Sequence, residues 1–313
     1  MKELPLIKGV TFAAFAHKGC LDSDETKFSL NELAVRTGAN LITLIPNGLQ
    51  EAAQSEEICY TSPATMTDDE LLRTIDRAHE KKLMVALKPT ANCMNGTWRA
   101  HISFFDKDVV CEPKWSNWFK SYNDFQMHYA ELAQKSGCEM FIPGCEMVMS
   151  EHREAEWRAL IKNIRTVYKG PVSYNTDKYQ EDNITWWDEV DYISSSGYYP
   201  INEFNNNLDR IERVVKQFKK PFFFAEAGCM SMTGASLVPN DWHVRGPLNL
   251  GEQNAWYKTL FTESSKRDWV KGFCTWDWSW KLYPLDKADE DAFYGIYGKP
   301  AEKTMKEFYT HWN

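Results

Sequence analysis

The 313-residue chain has no excess of positive charge. Its formal net charge is −8, which leaves no broad basic surface for a nucleic-acid backbone or an anionic membrane, so neither is expected as a partner. No window is apolar over the length of a membrane span. The N-terminal stretch MKELPLIKGVTF carries neither the apolar run nor the small-residue cleavage site of a secretory leader, and a cytoplasmic protein is expected.

The eight cysteines, at 20, 59, 93, 111, 138, 145, 229 and 274, form no CxxC pair. That argues against a zinc site or a redox motif, and in the absence of a leader it favours reduced, mostly buried thiols. Neither GxGxxG nor GxxxxGK[ST] follows the first apolar run, so the usual nucleotide fingerprint of an open doubly wound sheet is absent. No cofactor is expected. Linkers, low-complexity tracts and internal repeats are also missing, which makes one domain over residues 1–313 the economical reading.

What is present is alternation. Apolar, strand-like runs lie at 7–15, 40–46, 83–89, 139–144, 171–176, 190–197, 221–226 and 270–276. Helix-period stretches follow them at 25–38, 67–82, 115–137, 153–169, 183–190, 204–220, 250–266 and 299–312. Thr67 with Glu70 reads as a capping box, and Pro300 stands where a first-turn proline belongs. Eight strand and helix pairs in this length fit an α/β fold, the single-domain (β/α)8 TIM barrel.

Barrel enzymes carry their chemistry at the C-terminal ends of the strands. The third strand delivers Lys88 there, followed by a loop with Asn92, Trp98 and Arg99. The fourth ends at Glu146, the fifth at Asn175 and Asp177, the sixth at Tyr198 and Tyr199, the seventh at Glu226, and the eighth at Trp276, Asp277 and Trp278. Glu146 and Glu226 each sit at the mouth end of an apolar strand. A single such glutamate is as well explained by a structural ion pair; two, facing one mouth among aromatics, point to catalysis.

Two carboxylates in an aromatic cleft are what glycosidic hydrolysis needs: one protonates the leaving oxygen, the other attacks the anomeric carbon or activates water. A separation of about 5 to 5.5 Å gives a covalent intermediate and retention, and roughly 6.5 to 9.5 Å gives inversion. The total aromatic content of 14%, including 13 Trp, exceeds what a core alone requires and suits an oligosaccharide or polysaccharide substrate. A competing enzyme class is a Schiff-base lyase or aldolase built on Lys88.

Glutamates ending the fourth and seventh strands, a Tyr after the sixth and a Trp ending the eighth resemble the clan A retaining glycosidases. Within that clan, KGVTF, KPTANCMNGTWRAHI, GCE, FAEAG and KPAEK resemble glycoside hydrolase family 113, over essentially the whole chain. The resemblance implies a retaining β-mannanase or β-mannosidase-like enzyme acting on β-1,4-mannan or its oligosaccharides, with other β-glycans of the clan, glucan or galactan, as the alternative. It implies Glu146 as acid/base, Glu226 as nucleophile, Tyr198 as a hydrogen-bond donor to Glu226, and Trp276 as the floor under the reacting sugar.

One position departs from the clan. The residue before the acid/base is usually an Asn that holds the sugar 2-hydroxyl, and here it is Cys145, a poor hydrogen-bonding group. Lys88, Asn92 and Asn175 are the candidate replacements by strand position. Of the remaining features, Glu151 and His152 lack HExxH spacing and read as a solvated helix start. Trp186 and Trp187 read as packing against the barrel. Trp98, Arg99 and His101 either build a subsite or cap the barrel, and Trp242, His243 and Arg245, in the long loop 234–250, are candidates for the cleft wall.

Overall fold

The computed structural model describes residues 4–313; the first three residues of the N-terminal stretch read above lie outside the described residues. Among the described residues ten strands are present: β1 Ile7–Phe12, β2 Leu41–Leu44, β3 Asn47–Gln50, β4 Met84–Leu87, β5 Thr90–Cys93, β6 Met140–Phe141, β7 Ser173–Thr176, β8 Tyr192–Ser196, β9 Phe222–Ala227 and β10 Val270–Trp278. Eight of them, in the order β6-β4-β2-β1-β10-β9-β8-β7, make one parallel sheet. The sheet curls into a barrel, and its two ends meet through isolated parallel bridges, Phe141 to Val172 and Cys145 to Asn175.

The other two strands extend the barrel at its mouth. β3 and β5 continue the courses of β2 and β4 and pair with each other, Asn47 opposite Thr90 through Gln50 opposite Cys93. Pro46 and Pro89 explain why each course is split in two: a proline has no N–H to give to a ladder. This small sheet was not anticipated, and it sets the base of the loop carrying Trp98 and Arg99.

Among the described residues seven α-helices surround the barrel: α1 Asp24–Arg36, α2 Asp68–Glu80, α3 Trp115–Ser136, α4 Glu154–Val167, α5 Phe204–Phe218, α6 Leu250–Ser264 and α7 Pro300–His311. The Thr67 capping box on α2 is formed, and Pro300 opens α7. The expected helix over 183–190 is not formed; two 3-10 turns, Glu181–Asn183 and Trp187–Glu189, stand there instead. Trp186 and Trp187 are adjacent and both fully buried. Their indole N–H groups donate to the carbonyls of Glu151 and Glu181 at 3.0 and 2.9 Å, so both rings serve packing, as expected.

The core has two layers. Ile7, Leu41, Ala86, Met140, Tyr192, Phe223, Ala225 and Cys274 fill the inside of the barrel, and a larger apolar shell lies between strands and helices. Strand β9 contributes to both, with Phe223 inside and Phe222 and Phe224 outside, packed on Trp269 and Phe273. Burial on both faces is what permits its continuous apolar run.

Candidate active site

Simple alternation along β9 would send Glu226 outward with Phe222 and Phe224. A bulge prevents this. On the β8 side Ser195 faces Phe224 while the next residue, Ser196, faces Glu226, and on the β10 side Phe273 faces Phe224 while Thr275 faces Ala227. The extra residue re-aims the glutamate into the mouth. Glu146 reaches the same space by another device. Gly144 has φ +118, where a Cβ would come within 2.8 Å of the Tyr122 hydroxyl, and Glu146 itself sits in the left-handed region at φ 53. A non-glycine residue in that region is strained and is held there by its surroundings; its N–H donates to the Asn175 carbonyl at 2.8 Å.

Both carboxylates are buried, and one oxygen of each lies within 4.8 Å of the other. Glu226 Oε1 accepts from Lys88 Nζ at 2.5 Å and from the Cys145 thiol at 3.3 Å, and Oε2 accepts from the Tyr198 hydroxyl at 3.1 Å. Burial pushes the Glu226 carboxyl up, but the Lys88 charge and hydrogen bond, aided by Arg99, outweigh it and hold the group below the usual carboxylate range. Glu146 Oε1 accepts from Ser196 Oγ at 2.7 Å. Its Oε2 accepts from Trp98 Nε1 at 3.1 Å and Arg99 Nη1 at 3.0 Å.

Above the pair opens a cleft of about 490 Å³. Phe15, Trp98, Trp242 and Trp276 supply its aromatic walls, with Phe15 and Trp242 edge-on to Trp276 at 5.8 and 6.3 Å between centroids. Tyr198, Arg99, Asn92, Asp177, Lys178, Asn240 and His243 also line it. Trp98 and Arg99 therefore belong to the site, whereas His101 packs edge-on against Trp98 behind it. Arg245 bonds the carbonyls of Trp242 and Val244 within its own loop and does not line the cleft.

The three candidate replacements for the missing Asn differ in what they reach. Lys88 and Asn175 are fully buried beneath the carboxylates, 3.0 Å apart from Nζ to Oδ1, and neither lines the cleft. Asn92 does line it, but its oxygen accepts from Arg99 at 2.9 Å and its amide donates to Asn47 at 2.8 Å. Its visible role is to set the Arg99 guanidinium against Glu146. Arg99 was expected from sequence only as a subsite or capping residue, and Ser196 was not among the expected site residues; the contact of each with Glu146 had to be seen in the structure.

Two chemical alternatives lose support from the same contacts. A Schiff-base lysine needs a neutral amine; burial works against the Lys88 charge, but the Cys145 sulfur and the Glu226 carboxylate more than offset it, and its pKa is raised. Donor atoms of Cys145, Glu146 and Glu226 are close enough together to hold a metal ion. Lys88 and Arg99 already balance both carboxylates, however, and a divalent cation there would meet two positive charges.

Glu151 corrects a sequence expectation. It is 3% exposed rather than solvated, and its Oε1 accepts from the hydroxyls of Tyr174 at 2.8 Å and Thr176 at 2.7 Å. Burial pushes its carboxyl up to about 8, even though the two hydroxyls pull the other way. His152 is exposed and pairs with Asp106 at 2.8 Å.

A barrel whose mouth holds two facing glutamates, each fixed by hydrogen-bond donors under aromatic walls, defines a glycoside hydrolase. The chain belongs to Glycoside Hydrolase Family 113, which matches it over residues 10–299. A solved GH113 β-1,4-mannanase is 49% identical with a TM-score of 0.97, covering 98% of this chain and 100% of that one. The GH113 β-mannanase AaManA from Alicyclobacillus acidocaldarius, solved in complex with ManMIm, is 40% identical with a TM-score of 0.96 and 99% coverage of both chains. A β-D-glucuronidase from Dictyoglomus thermophilum shares the fold, at 15% identity and a TM-score of 0.66, over all of this chain and 52% of its own. No curated protein sequence matched the chain. Among the described residues no helix is long and apolar enough to cross a membrane.

Proposed function

We propose that this enzyme hydrolyses β-1,4-mannan or manno-oligosaccharides with retention, by double displacement. The observation that carries the mechanism is the pair of carboxylate oxygens within 4.8 Å, which fits the spacing of retaining enzymes, about 5 to 5.5 Å between carboxyl groups. Such a gap leaves no room for a water between nucleophile and sugar. Likeness to β-1,4-mannanases at 40% and 49% identity supports the substrate.

Glu226, kept ionised by Lys88 and oriented by Tyr198, attacks the anomeric carbon while Glu146 gives its proton to the leaving oxygen. Glu146 then takes a proton from the incoming water, which displaces Glu226. Trp276 underlies the reacting sugar and presents its ring to the apolar C–H face. Arg99 lines the cleft with Nη1 3.9 Å from Cys145 Sγ, which supports it as the group that takes over the contact of the missing Asn. Glu226→Ala should abolish turnover of aryl β-mannosides, and proton NMR should show the β-anomer formed first from mannohexaose. Cello- or xylo-oligosaccharides cleaved faster than mannohexaose would overturn the substrate; α-anomer formed first would overturn the mechanism.

A further inference from the structure

The cleft has one charged pair that the double displacement does not use. Asn175 points down to Lys88, Thr176 points out to Glu151, and Asp177, two residues beyond Asn175, turns back to the cleft side. Asp177 is 7% exposed. Among the described residues the only cation within ion-pair reach of its carboxylate is Lys178 Nζ at 3.6 Å, too long for a good hydrogen bond. The Lys178 side chain is itself only 14% exposed and lines the same cleft. A carboxylate and an ammonium thus stand at the cleft wall with acceptor and donor positions left for a ligand.

The side of the cleft follows from the neighbours. Asn175, two residues before Asp177, accepts the Glu146 N–H on its carbonyl at 2.8 Å and bridges Cys145, so the strand end that leads to Asp177 runs beside the proton donor; the Glu146 charge, after burial, also raises the Asp177 carboxyl, to about 7. Asp177 therefore stands on the flank of the proton donor. The group beyond a proton donor in this reaction is the leaving sugar.

We propose that Asp177 and Lys178 form a hydroxyl-binding site for the sugar unit on the leaving side of the scissile bond, and so select a sugar over a non-sugar leaving group. This rests on the glycosidase reading above. The carboxylate accepts from sugar hydroxyls, and the ammonium donates to a hydroxyl or ring oxygen.

The test compares wild type, Asp177→Asn and Lys178→Met on mannotetraose and on 2,4-dinitrophenyl β-mannoside, whose leaving group offers no hydroxyl. For each variant, the ratio of kcat/KM on mannotetraose to that on the aryl mannoside should fall roughly 10- to 100-fold, with KM rising on mannotetraose. A structural role would lower both substrates together. An unchanged ratio, or equal losses on both, overturns the proposal while leaving the mannoside reading intact. Wild type that cleaves neither substrate overturns both. Melting temperatures check folding, and if Asp177→Asn melts below the assay temperature the Lys178→Met ratio decides.

Discussion

Lys88 Nζ lies 2.5 Å from Glu226 Oε1 in a fully buried contact beneath the cleft. The lysine keeps the nucleophile ionised where burial alone would protonate it. Replacing Lys88 with Met should move the acid limb of the kcat/KM profile to higher pH, because Glu226 then ionises later. Activity below that limb should fall on the order of 100-fold. The melting temperature should drop as well, since breaking a buried pair costs about 3 to 5 kcal/mol. A pH profile with an unmoved acid limb would sink this reading of the pair.

Glu146 is needed for proton transfer to a poor leaving group, and less for a good one. Glu146→Ala should lower turnover of mannohexaose by about 100- to 10,000-fold. With 2,4-dinitrophenyl β-mannoside it should still release a burst of dinitrophenol, followed by slow hydrolysis of the glycosyl-enzyme. Equal losses on the two substrates, with no burst, would argue against the acid/base role.

Glu151 gives the fold a pH dependence of definite sign. Its carboxyl ionises near 4.5 when unfolded and is pushed up to about 8 in the fold, so the folded state binds the extra proton. The stability it contributes is fully present below about pH 4.5 and is lost as pH rises through about 8. Glu151→Gln cannot ionise and keeps an acceptor for Tyr174 and Thr176. Its melting temperature relative to wild type should improve from pH 5 to about pH 8 and level off above that, and a gap that stays constant over that range would contradict the assignment.

Thiol titration checks the cysteines. All eight are free, and Cys59 and Cys111 are exposed while the other six are buried. Burial pushes the Cys138 thiol up to about 12 and the Cys274 thiol up to about 11, which makes them poor nucleophiles. Two thiols should react quickly with a disulfide reagent in the native enzyme and six more after unfolding. Rapid native reaction of Cys145 would show that its slot beside Glu226 opens.

The barrel was legible because its strands are continuous apolar runs and its helices carry start signals. The two glutamates were legible because they end such runs. The bulge that turns Glu226 inward was not: it depends on how β8 and β10 pair with β9, and the segment PFFFAE does not encode that by itself. The helix expected after β7 is replaced by two short 3-10 turns, whose Trp186 and Trp187 N–H groups are taken up by the carbonyls of Glu151 and Glu181, partners the segment does not reveal by itself. Glu151 read as solvated since its hydroxyl partners, Tyr174 and Thr176, lie more than 20 residues away. Asn92, Asn175 and Lys88 all stood at strand ends, but only the packed molecule separates the side chain facing the cleft from those beneath it.

The seam where the curled sheet closes has a further consequence. It falls between β6 and β7, joined among the described residues only by isolated bridges, and it divides the chain into two consecutive half-barrels. Glu146 and Arg99 belong to the first, Glu226 and Tyr198 to the second. The proton donor and the nucleophile are therefore contributed by different halves, and a complete catalytic pair exists only when the halves are assembled. That makes the segment after Glu146 a natural place to divide the enzyme for fragment complementation, with glycosidase activity itself as the report of reassembly.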